Sequence, residues 1–313
     1  MFAYIIRRVW QMIPTLLGVM LLVFVLFNLF GGDPTIRMAG KGINKEKIAQ
    51  IKSQLGLDQS YPVQFGRFAQ QVVTFDFGRS WSTNEPVSKI LKREIPVSLT
   101  LMLQVWIYEA IIAVTIGMAV AYRRGTLTDR AIMMICTAAM SISFLLYIVV
   151  GQYVFSSVLG WFQPLGWSSD DFWLNIRKYA PLPVMLTLMV SVTPALRLYR
   201  SFIVEETNHD YVRTARAKGA SERRVMFVHV LRNAAVPIIT NMALELPSLF
   251  VSAFLVEFVF SIPGVGREII TAGINSDFPV IKAITVYTAI LTMVVNLVVD
   301  LLYKWLDPRV ELK

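Results

Sequence analysis

The stretch EETNHDYVRTARAKGASERRVMFVHVLRN, residues 205–233, decides how this chain is read. It is polar and basic, with apolar segments immediately before and after it. Asp210 is placed to cap a helix over residues 211–218, because its carboxylate can accept from free first-turn N–H groups. Gly219 can take the left-handed conformation that ends such a helix. Ser221 can cap a second helix carrying Val225, Val228 and Leu231 at helical spacing. The pattern predicts two short helices at an angle, held against a membrane by the spans on either side. The plain alternative is a basic loop that only obeys the charge rule for membrane topology. A DNA-reading helix-turn-helix is a third reading, and tethering within a few residues of two spans argues against it.

Composition sets the frame for that stretch. The 313 residues are 55% hydrophobic and 16% charged, with a mean hydropathy of +0.57. A soluble domain is normally nearer a quarter charged, so an all-α polytopic membrane protein is expected. The net charge of +9 does not by itself imply nucleic acid, because placement matters more than the sum. One cysteine, Cys136, and two histidines make an internal disulfide impossible and a metal cluster unexpected. There is no G-x-x-x-x-G-K-S/T loop, so the chain is not expected to cradle ATP itself. Gly264-x-Gly266 follows no strand and reads as a turn. H-E-x-x-H and G-x-S-x-G are also absent, which leaves no catalytic constellation.

Six spans are expected from the apolar runs. The first is within 1–30, with Arg7 and Arg8 at its cytosolic start and residues 1–10 along the interface. Residues 31–95 read as a small helical extracytoplasmic region. Asn44 would cap a helix there, Ile43 and Ile48 would staple it, and Ile51, Leu55 and Gly56 would complete it. A second helix is expected over 63–75, with Phe68, Val72 and Phe75 on one side. Residues 88–95 read as an interfacial lead-in. Further spans follow at about 96–122, 131–159, 180–196, 237–258 and 280–305, within a core of 96–306 that includes the cytosolic loop 199–233. The tail 307–313 returns to the cytosol. Trp161, Trp167 and Trp173, with Asp170 and Asp171, mark 160–179 as an outer loop. Sixteen Lys and Arg fall on the pieces assigned to the cytosol, with Arg197 and Lys304 at the span ends included, and four on the two short outer loops, counted to Lys282. That asymmetry puts both termini inside.

Glu109, Glu245, Glu257 and Asp300 lie inside apolar runs. A charge at the bilayer centre costs about 2.5–3.5 kcal/mol on insertion scales, so such acids face the bundle or a wet path. For Glu109 and Glu245, a bond to a neighbouring helix and a place on a path are both open. A stand-alone channel or ion-coupled carrier using these acids is the rival functional class. Glu257, in the same run as Pro247, precedes FSIPGVGRE, where proline and glycine permit a sharp re-entrant turn.

Four motifs, in order, resemble one family. DYVRTARAKG followed by ASERRV resembles the EAA loop of ABC importer permeases, and more closely the B-type permease subunit of dipeptide, oligopeptide and nickel importers. LGLDQSYPVQF with FDFGRSWSTNEPV, EFVFSIPGVGREIITAGINSDFPVI and the terminal WLDPRVEL resemble the same subunit. The resemblance implies the six-helix type I importer permease fold in a bacterial or archaeal inner membrane. It implies a homologous second permease, two ATPase subunits that bind ATP and Mg, an extracytoplasmic substrate-binding protein, and lipid as partners. It implies ATPase coupling through Asp210, Tyr211, Arg213, Ala215, Arg216, Lys218, Gly219, Ser221 and Arg224. It implies a gate or path at Glu245, Pro247, Glu257, Pro263, Gly264 and Gly266. Arg213 stands where the general loop has glutamate, and Arg232 where it has a late proline. The substrate itself stays open between dipeptides, oligopeptides, nickel complexes and other solutes.

Overall fold

A computed structural model describes residues 2–30, 49–50, 52–53, 56–168 and 171–306. The helix expected after Asn44, residue Asp170 and the tail 307–313 lie wholly or largely outside those residues. In chain order the long elements are α1 Phe2–Val25, α2 Tyr61–Thr74, α3 Val87–Tyr122, α4 Leu127–Met140, α5 Phe144–Gln152, α6 Pro181–Glu206, α7 Asp210–Ala217, α8 Leu231–Val259, α9 Val265–Asn275 and α10 Phe278–Leu306. Among the described residues the only strand-like pairing is an isolated bridge between Arg79 and Pro86. Among the described residues, five stretches are long and apolar enough to cross a membrane: Tyr4–Asn28, Val87–Tyr122, Pro181–Glu206, Glu222–Leu246 and Phe278–Leu301. A bent pair, Leu127–Met140 with Phe144–Val158, makes a sixth if it counts as one span.

The chain packs as two units. The first comprises residues 1–97 and 263–297. Its core joins Val23 and Phe24 of α1, Phe68 and Val72 of α2, Val87 and Ile90 of α3, and Ile284 of α10. Phe68 and Val72 are one turn apart and bury together, as their spacing predicts. Phe75 does not join them. It ends α2 with φ +53, and its side chain is exposed. Residues 88–95 are no separate lead-in. Val87 and Ile90 bury in this core, so α3 is one helix of 36 residues that runs through Pro96. Residues 2–10 likewise continue into the first span as one helix, with Pro14 inside it.

The second unit comprises residues 98–262 and 298–312. The expected third span is broken. Its halves meet at 92° across residues 141–143. Such a break frees carbonyls that a bilayer cannot hydrate. Side chains bond at the break: Ser141 Oγ donates to Thr137 O (3.1 Å), and Tyr147 Oη donates to Ala139 O (3.1 Å), which also accepts from Ile142 N–H (3.3 Å). The fourth span runs ten residues beyond Leu196, to Glu206, because Tyr199 and Ile203 are fully buried against neighbouring helices. Glu205 and Glu206 therefore belong to a helix and not to a loop. At Gly117 of α3 an added Cβ would lie 3.4 Å from the Arg200 backbone N and 3.8 Å from Tyr199 Cβ, so α3 and α6 approach closely. A helical turn Glu222–Arg224 and a π-helical stretch Val225–Val230 lead into α8 without interruption. The expected second short helix is thus the base of the fifth span.

Candidate functional site

The second unit presents α7 between two spanning helices, α6 before it and α8 after it. Thr207 closes α6, with its Oγ1 donating to Val204 O (2.6 Å). Two residues later α7 begins. His209 occupies the cap position with extended backbone and makes no side-chain cap bond. Asp210 is the first helical residue, so the capping role expected of it is not realised. Its carboxylate is exposed and lies 3.5 Å from Arg213 Nη1. The first-turn acid still complements the helix dipole there.

One face of α7 is buried. Val212 is fully covered and Ala215 nearly so, packed in a core with Tyr199, Ile203, Val225, Met226 and Val230. Val225 is the only buried member of the expected trio, since Val228 is half-exposed and Leu231 partly covered. The π-helical winding of 225–230 shifts the buried face to Val225, Met226 and Val230.

Tyr211 ties α7 back to α6. Its hydroxyl donates to Glu206 Oε2 at 2.5 Å, and its ring stacks on His209 with centroids 5.9 Å apart. Burial, then that bond to Glu206, push the phenol up to about 12.

The end of α7 is a Schellman motif. Gly219 has φ +79, its N–H donates to Arg216 O (2.9 Å), and Ala220 N–H donates to Ala215 O (3.2 Å). This is the role read for Gly219 from sequence. Lys218 is the cap residue and is exposed. Ser221 stands at the next cap position, extended, without a side-chain bond. Arg216 reaches across the turn to Glu222 through two hydrogen bonds, 3.1 and 2.6 Å, which raise the guanidinium's affinity for its proton. Arg213, Lys218 and Arg224 stay exposed. So α7 is seated by Val212, Ala215 and Tyr211 and offers cations outward.

A second anchor escaped sequence reading. Arg200 donates to both oxygens of Asp129, each at 2.7 Å, and Gly125 N–H adds a third bond at 2.9 Å. This clamp joins the turn before α4 to α6, beside α7. Its only sequence signal was an acid inside a basic turn, RRGTLTDR.

In the first unit two of the family-like motifs meet. Asp277, 1% exposed, accepts from Ser80 Oγ (2.5 Å), Trp81 N (3.0 Å), Ser82 N (3.1 Å) and Ser82 Oγ (2.7 Å). Burial alone would raise this carboxyl, but the donors outweigh it and hold it below the usual carboxylate range. Pro263, Gly264 and Gly266 lie just upstream, with Gly264 capping α9 in extended backbone at φ −115. The sharp turn after α8 rests on Ser261, φ +56, in the second unit, and not on the glycines. Glu257 is fully buried there, and its backbone carbonyl accepts from Ile262 N–H (2.9 Å). Glu245 is half-buried in α8, and Pro247 lies within that helix.

These features define a polytopic helical protein of the transporter type, with a helix held out from its spans. Residues 113–312 match the family described as binding-protein-dependent transport system inner membrane component, and residues 1–102 match the N-terminal region of such components. A peptide transport system permease protein of Brucella abortus, itself named putative, is 33% identical over 99% of both chains. A glutathione transport system permease of Salmonella paratyphi A is 36% identical over the full length of both. A dipeptide transport system permease of Alkalihalophilus pseudofirmus is 30% identical over 99% of this chain and all of its own. This chain belongs to the family of binding-protein-dependent transport system inner membrane components. It is a permease subunit of an ABC importer and not an enzyme, and nothing supports a stand-alone channel or carrier.

Proposed function

We propose that this chain is the B-type permease of a peptide importer and that α7 is where a cytosolic ATPase moves it. The observation that carries this is the split character of α7: one face is sealed into the chain's own core and the other exposes Arg213 and Arg216, with Lys218 and Arg224 exposed just beyond its end. A helix so seated transmits force to α6 and α8. Val212 and Ala215 do the seating, and the exposed cations meet the partner. The peptide substrate is supported by the names of full-length relatives.

In this reading α7 faces the cytosol, both termini lie on that side, and residues 31–95 lie outside. ATP and Mg sit on two ATPase subunits. A homologous permease completes the path, and a binding protein delivers the peptide. The face built from 80–82, Asp277 and the turn at Pro263, Gly264 and Gly266 serves that docking. Glu245, Pro247 and Glu257 belong to the path and its outer end. The ATPase drives transport only by gripping α7 differently in its two states.

Co-expression of the complete importer and purification in mild detergent test the reading. An Arg213→Glu, Arg224→Glu variant should insert normally, lose the co-eluting ATPase and take up labelled dipeptide at least tenfold more slowly. Unchanged co-elution and uptake would remove α7 from the role.

A further inference from the structure

Within the second unit, three helices bring together a set of buried polar groups. Glu109 of α3 is 5% exposed, and its Oε2 has no hydrogen-bond partner. Ser191 of α6 lies beside that carboxylate, close enough for its buried hydroxyl to act on Glu109 as a donor. Tyr199, two turns further along α6, is fully buried, and its hydroxyl also has no partner. Tyr199 is within electrostatic reach of both Glu109 and Glu245, and those two acids are within reach of each other. Asn241, one turn before Glu245 on α8, has a buried, unpartnered Oδ1. Trp106 Nε1 donates to Met242 O at 2.9 Å. Glu109 is one turn from Trp106 and Glu245 one turn from Met242, so this bond pins the two acid-bearing turns together.

The imbalance is one of charge: two carboxylates stand among two hydroxyls and an amide, which can donate as well as accept, and no basic side chain pairs with either acid among the described residues. Buried polar atoms are almost always satisfied, and an unpaired carboxylate in a bilayer is costly. A cation that brings its own donors would balance the two carboxylates and fill the acceptor positions that the hydroxyls and amide leave open. A divalent metal fits poorly, because no group of three or more metal-binding His, Cys, Asp or Glu occurs among the described residues. An ammonium carries three donors and one charge, matched to several convergent acceptors.

We propose that Glu109, Ser191, Tyr199, Asn241 and Glu245 form an intramembrane site for a primary ammonium, the protonated amino end of a passing peptide. The peptide as source rests on the permease reading above. All five groups belong to this chain, so the site is tested without partners. ATPase co-elution does not involve them, so either reading can fail alone.

The test is thermal unfolding of the full-length chain in lipid nanodiscs at constant ionic strength. Glycylglycine should raise the midpoint by about 3 °C at roughly tenfold over its dissociation constant. N-acetylglycylglycine and sodium chloride should not. Methylammonium reproducing the shift would show that the charge alone is read; a shift with glycylglycine only would show that the peptide end is read. Either supports the site. Glu109→Gln and Glu245→Gln should abolish the shift, and both ease insertion by removing a charge. Tyr199→Phe should leave the unliganded midpoint unchanged or higher, since the lost hydroxyl is unpaired, while reducing the ligand shift. Equal shifts with free and acetylated peptide, a shift with sodium alone, no shift at all, or Gln variants that respond like the parent would overturn the proposal.

Discussion

Two helix ends in this molecule are built alike and do opposite things. The end of α7 in the second unit and the end of α9 in the first are both Schellman motifs. At α9, Ser276 N–H donates to Gly273 O (3.2 Å) and Asp277 N–H to Ala272 O (2.8 Å). The residue in the left-handed position is glycine in one and serine in the other, at φ +79 and +54. The chain beyond each end differs more. After α7 it turns outward and leaves cations in solvent. After α9 it turns inward and drives a carboxylate into four donors. The backbone device is indifferent to purpose. The residue after the turn decides whether the end is presented or locked.

That contrast can be broken from the locked side first. Asp277→Ala leaves two hydroxyls and two backbone N–H groups of 80–82 without their acceptor. It should cost about 3 kcal/mol of stability, read as a lowered midpoint in detergent. The same carboxyl makes the first unit pH-sensitive. Its folded affinity for protons is depressed, so its contribution is complete above the ordinary carboxylate range. That contribution should fade as pH falls through the depressed value. Asp277→Ala should flatten that acid limb.

On the presented side the largest loss should come from the clamp beside α7. Asp129→Asn weakens three hydrogen bonds and leaves the Arg200 charge unmatched, costing about 2 kcal/mol in this partly exposed setting. Gly219→Ala forces a side chain into left-handed backbone and should cost about 1 kcal/mol. The added Cβ meets no atom within 4 Å, so the effect is conformational and not steric. Ser276→Gly is the mirror experiment and should gain up to about 1 kcal/mol. A gain at 276 with no loss at 219 would show that the two ends are not the same device.

Much of the fold was legible from sequence because bilayers impose a simple rule on length and polarity. Apolar runs located most of the spans, and Gly219 announced its own turn. Sequence patterns misled where packing overrode local chemistry. The fourth span was expected to stop near Leu196, yet Tyr199 and Ile203 bury and carry it to Glu206. The bend at 141–143 had no proline or glycine to mark it, and depends on side-chain bonds from Ser141 and Tyr147 that no periodicity reveals. Asp210 has the ideal composition for a cap and sits one position too late. Asp277 and the Asp129–Arg200 clamp unite residues 197 and 71 positions apart. No local pattern contains such pairs.

The unbroken run from Glu222 to Val259 has a mechanical meaning. At about 1.5 Å per residue it is a strut roughly 55 Å long, with no coil segment to absorb rotation. Tilted by about 10° at one tip, a strut of that length sweeps its other tip through roughly 10 Å. An arc of that size exceeds the width of a peptide backbone, so in the proposed importer a modest nudge at the base would be geometrically sufficient to open or shut a passage at the far side.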